Sequence, residues 1–172
     1  MNSSDLNPEV VYSVISYLCR KGILSPNPEN VSLEREGHPD VAPCGKSYGP
    51  ERLDLSQLEW AAKVGHFWFA GPVKAIKIIV DKGRVQGDLR LEAEKVMFTT
   101  SLNVFNYKNL DQVVKKLRQT ARQFSLKIEF QQNAMMPYQL TLTISSQKIL
   151  STDNVNEFLG QIRRLHQSTE AL

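Results

Sequence analysis

The chain has 172 residues, with 41% apolar and 23% charged side chains. That composition is ordinary for a globular protein, and the length fits one domain, expected over 1–172, able to bury a core. No apolar run approaches the roughly 20 residues of a membrane span, and the first residues lack the basic and apolar regions of a signal peptide, so a cytoplasmic protein with no membrane partner is expected.

The net charge of +3 is unevenly divided. Residues 1–70 carry six Lys or Arg against nine Asp or Glu, a net of −3; residues 71–172 carry fifteen against nine, a net of +6. The basic half therefore favours an acidic partner or a nucleic acid.

In chain order, 1–22 reads as an N-terminal helix. Asn7 is an N-cap, Pro8 opens the first turn, and Val11, Val14, Ile15 and Leu18 form an apolar stripe that Gly22 ends. Residues 23–52 are Pro/Gly-rich, with Pro26, Pro28, Pro39, Pro43 and Pro50, and read as a long loop. Val31 and Leu33 allow only a short edge strand there. Residues 53–172 form the α+β core. A second N-terminal helix is expected to start at Asp54 or Ser56 and end at Gly65. The aromatic run Phe67, Trp68 and Phe69 follows.

The clearest signal begins at Val73. Ile76, Ile78 and Val80 share one face of a strand; Val85, Leu89 and Leu91 share that of a second; Val96, Phe98, Thr100, Leu102 and Val104 that of a third. Asp81–Arg84 is a turn with Gly83 at a positive φ, so the three make an antiparallel meander. Asn109 caps a helix whose stripe is Leu110, Val113, Val114, Leu117, Ala121 and Phe124. Leu126, Ile128 and Phe130 alternate in a fourth strand. Residues 133–137 turn, and Tyr138, Leu140, Leu142 and Ile144 make a fifth. Thr152 or Asp153 caps a last helix with Val155, Phe158, Leu159 and Ile162 inward, followed by Leu165 or His166.

The expected fold is thus an antiparallel sheet of about five strands, βββ-α-ββ-α, covered by helices on one face, with two N-terminal helices. A sheet with one apolar and one polar face needs such a cover. This element order resembles the small α+β chaperones of bacterial secretion systems.

Motifs for chemistry are weak. Cys44-Gly45-Lys46-Ser47 ends like a phosphate loop, but Asp40 stands where the first glycine belongs, and no strand leads in. His38, His66 and His166 lack zinc-site spacing, and Cys19 and Cys44 are too few for a thiolate metal site. Asp88, Arg90 and Glu92 share a polar strand face and suggest cross-strand ion pairs rather than acid–base catalysis. No metal or cofactor is expected.

The expected function is a non-enzymatic protein-interaction module: an adaptor, assembly factor or chaperone-like protein that binds another protein or itself as a dimer. Phe67, Trp68, Phe69, Met135 and Met136 are its candidate contacts. The first alternative is nucleic-acid binding by the basic residues Lys115, Lys116, Arg118 and Arg122 of the helix over 109–124. The second is an enzyme with an unrecognised site, for which a cleft joining His38, Cys44 or His66 to a carboxylate would be the sign.

Overall fold

The computed structural model describes residues 6–24, 30–35, 51–52, 73–82, 85–103, 105, 108–132 and 134–169. Among them are three helices, α1 (Pro8–Arg20), α2 (Leu110–Gln123) and α3 (Thr152–Ser168). The strands are β1 (Val31–Arg35), β2 (Glu51–Arg52), β3 (Val73–Lys82), β4 (Val85–Leu91), β5 (Val96–Asn103), β6 (Lys127–Gln132) and β7 (Gln139–Ser146). They form one antiparallel sheet in the order β2-β1-β3-β4-β5-β7-β6. The α+β class and the meander β3–β4–β5 agree with the periodicity of the sequence.

The strand count does not. Among the described residues there are six strands of five residues or more, plus the two-residue β2, against about five expected. The additional strand is β1, which two alternating apolar residues within a Pro-rich stretch announce only faintly. It forms because β3 offers a second edge: Val31 pairs with Ile78 and Leu33 with Ile76, and both β1 side chains are buried. Tertiary pairing decides here where local propensity does not. The second N-terminal helix, expected from Asp54 or Ser56 to Gly65, lies outside the described residues. So does the turn glycine Gly83.

Register makes the core. Ile76 pairs with Leu91 and Ile78 with Leu89. Leu89 then pairs with Phe98, Phe98 with Ile144, and Ile144 with Ile128. Side chains on a strand alternate, so these residues share one face. The helix stripes join them in one cluster: Val11, Val14 and Leu18 from α1, Val113, Leu117 and Ala121 from α2, and Val155, Phe158 and Ile162 from α3. Gly87 admits the large ring of Phe98. A methyl built on Gly87 would meet the carbonyl oxygen of Thr99 and lie 2.7 Å from the Phe98 Cζ.

Each helix end has a local cause. Asn7 Oδ1 accepts from the Glu9 amide at 2.9 Å, and Asn109 Oδ1 from that of Gln112 at 3.2 Å. The cap of α3 is Ser151, whose Oγ accepts from Asn154 N at 3.1 Å, not Thr152 or Asp153. Serine reaches the amide three residues on, and Thr152 is already in the first turn. Gly22 ends the α1 region at φ +70°. Ser125 does the same for α2 at φ +57°, as Leu126 N reaches back to Ala121 O at 2.9 Å. A left-handed non-glycine residue costs about 1–2 kcal/mol.

The opposite sheet face carries a cluster of ion pairs. Arg90 donates from both terminal nitrogens to Glu34, at 2.6 and 3.1 Å, and from Nε to Glu92 at 3.1 Å. Lys77 lies 3.7 Å from Glu34. The bridge between β4 and β1 crosses β3, where Ala75, paired with Glu34, presents only a methyl group. Ion pairing was expected on this face, but Glu34 is its hub, and Asp88 takes no part in an ion pair among the described residues.

Two outcomes follow from this geometry. Ser125→Gly relieves the left-handed strain, and the urea midpoint should rise by the equivalent of about 0.5–1 kcal/mol; an unchanged or lower midpoint contradicts the strain. The hydrogen bond from Arg90 holds the Glu34 carboxyl below the ordinary carboxylate range. Its stabilisation is therefore present above the unfolded-state value and is lost as pH falls through the lower folded-state value. Glu34→Gln should cost about 1–2 kcal/mol at neutral pH, and its difference from the parent should shrink in acid. A difference that does not change with pH contradicts the pair's role.

Candidate interaction surface

The antiparallel order sends several connections to one end of the sheet. β5 leaves there for α2, and the β3–β4 and β6–β7 hairpins turn there. Asn103, the last residue of β5, pairs with Gln139, the first of β7. This places Phe105 against Tyr138, their rings stacked with centroids 6.2 Å apart. Asn103 Oδ1 accepts from Phe105 N at 3.0 Å and fixes the chain as it leaves the strand.

Phe105 is 80% exposed, Met135 89%, Met136 37% and Tyr138 40%. Tyr138 donates its hydroxyl to Met136 Sδ at 3.2 Å, and the turn closes by Gln139 N donating to Met136 O. Ring stacking and this hydrogen bond order the two aromatics and Met136 without burying them. Among the described residues, the other exposed large apolar side chains lie apart, Ile79 in β3 and Ile149 between β7 and α3. Clustered apolar exposure marks contact surfaces, whereas single residues are ordinary.

Beneath this end, between α2, α3 and the sheet, lies a cavity of about 220 Å³. Phe98, Leu102, Leu117, Leu142, Ile144, Ile162 and Leu165 supply its apolar lining; Gln86, Thr100, Ser101, Asn103, His166 and Thr169 its polar lining. It is smaller than the roughly 300–1,000 Å³ of sites for drug-sized ligands. Leu165 takes the buried place on the α3 stripe, and His166 is half-buried beside the cavity.

The basic residues of α2 are all exposed. Lys115, Arg118 and Arg122 recur at helical spacing, with Lys116 beside them. None forms an ion pair with another described residue. The Arg118 guanidinium lies 4.9 Å from the centre of the Phe130 ring.

Met135 and Met136, named in the sequence as candidate contacts, are exposed here, and the four basic residues fall on one helix. Phe67, Trp68 and Phe69 lie outside the described residues, as do His38, Cys44 and His66. Sequence reading missed Phe105 and placed Tyr138 on the inward face of the fifth strand. Phe105 had a signal: it is one residue out of phase with Val96, Phe98, Thr100 and Leu102. Tyr138 lies one residue before β7 begins, so strand alternation does not govern it.

No family model, curated protein or solved structure matches the chain. The surface must therefore be read on its own chemistry. Among the described residues no group of three His, Cys, Asp or Glu side chains is placed to hold a metal, and no helix is long and apolar enough to cross a membrane. Burial pushes the Cys19 thiol up, which disfavours the nucleophilic thiolate.

Phe105 and Met135 are largely exposed, so Phe105→Ser with Met135→Ser should leave stability within about 0.5 kcal/mol of the parent. Binding of a dye selective for apolar surface should fall. A large loss of stability would place these side chains inside the fold instead.

Proposed function

We propose that the chain is a protein-interaction module, an adaptor, assembly factor or chaperone-like protein, whose contact surface is the sheet end bearing Phe105, Met135, Met136 and Tyr138. The observation that supports this reading is the ordered yet exposed apolar cluster. A stacked aromatic pair supplies rigid contact area at low entropic cost, and adjacent methionines adapt to a partner's shape. Burying such a cluster against another chain contributes about 25 cal/mol per Å² of apolar area before the costs of association. Another protein and a second copy of this chain both meet that requirement.

The test joins two measurements on the full chain: mass in solution by light scattering, and capture of defined partners on immobilised protein. The proposal expects self-association or a specific partner, either of them lost in the Phe105→Ser, Met135→Ser variant. A monomer that captures nothing, or a partner held equally by the variant, would contradict it.

A second reading rests on the cations of α2, none of which forms an ion pair with another described residue. Four exposed Lys or Arg side chains on one helix suit phosphates, and binding of that kind weakens steeply with salt. Retention of a short single-stranded oligonucleotide at low salt, released as salt rises, would favour it. No retention at low salt would eliminate it.

A further inference from the structure

We propose that the free edge of β6, with the basic face of α2 beside it, is a strand-addition site for an extended acidic segment of a partner protein. This deepens the reading above and rests on it only in taking the partner to be a protein.

The first observation is topological. β6 ends the sheet order, and among the described residues nothing pairs with its outer edge. An edge strand presents unpaired N–H and C=O groups, a template for another chain. The two edges differ. The opposite one is the two-residue β2, too short to template much, whereas β6 keeps unbroken register with β7 over all six of its residues, Lys127 to Gln132.

The second observation is that β6 has only one of the usual guards, a pair of charges. Proteins blunt edges with proline, bulges, inward charges or charged side chains on the edge. β6 contains no proline and no register shift. Its charges, Lys127 and Glu129, lie on the face away from the helices and neutralise each other at 3.1 Å. On the helix side, Ile128 and Phe130 are only half-buried.

The third observation selects the occupant. The contact between Arg118 and Phe130 brings the basic face of α2 over this edge. Lys115 and Arg122 lie three and four residues away and share that face. A strand added to β6 would send alternate side chains toward these cations. Acids at every second position would meet positive charge that no described residue neutralises. β6 runs on into the turn bearing Met135 and Met136, so one end of the added strand reaches the apolar cluster.

A second copy fits this edge poorly. Pairing β6 with β6 about a two-fold axis would set two basic α2 faces against each other, and like charges across an interface cost affinity. A nucleic acid could use the cations but not the backbone hydrogen bonds of the edge.

Random linear peptides displayed on phage and selected on the intact chain test this. Enriched peptides should carry Asp or Glu at alternate positions and, when synthesised and bound, should slow hydrogen exchange at β6. Lys115→Glu with Arg122→Glu changes two exposed side chains and should weaken binding at least about tenfold. Arg20→Glu on α1 should change it less than about twofold. Enriched peptides without acidic bias, protection elsewhere than β6, no enrichment, or unchanged binding by the folded double variant would each overturn the proposal. So would salt-dependent oligonucleotide binding lost in that variant while no peptide is enriched. If β6 fails these tests while Phe105→Ser, Met135→Ser still abolishes partner capture, the edge proposal falls and the broader reading stands.

Discussion

Everything in this protein depends on keeping one face of a long antiparallel sheet apolar across strands distant in sequence. Leu89, Phe98, Ile144 and Ile128 come from four strands, and each must point the same way. A slip of one residue in any pair would turn a whole apolar row into water, so burial itself specifies register. Gly87 shows how tightly this is fitted: a single methyl there would collide with the neighbouring strand and the Phe98 ring.

That constraint also distributes what is left for function. Among the described residues, three helices cover the apolar face, and the ion cluster of Glu34, Arg90, Glu92 and Lys77 occupies part of the polar one. Antiparallel order gathers the β3–β4 turn, the β6–β7 turn and the exit from β5 at a single end. Phe105 and Tyr138 meet there because β5 and β7 are neighbours in the sheet, although they lie on opposite sides of α2 and β6 in sequence. The exposed cluster is thus a consequence of topology, and the edge of β6, unpaired among the described residues, lies next to it.

Much of the fold was legible in the sequence because two-residue alternation survives wherever one strand face is buried. The strands β3, β4, β5 and β6, and β7 as far as Ile144, display it with few interruptions. β1 was nearly invisible, since two alternating residues between prolines carry little information and β3 decides the pairing. Ser151 was overlooked as a cap because Thr152 and Asp153 are equally good cap types one and two residues later. Of the candidate site, Met135, Met136 and the α2 cations could be named, for turns and polar helix faces are local features. The Phe105–Tyr138 stack could not, because it depends on which strands become neighbours.

The shared register is most directly tested by interstrand proton contacts in solution by nuclear magnetic resonance. The account predicts backbone contacts linking Leu89 to Phe98, Phe98 to Ile144, and Ile144 to Ile128. Contacts displaced by one residue, or Ile144 flanked by strands other than β5 and β6, would contradict it.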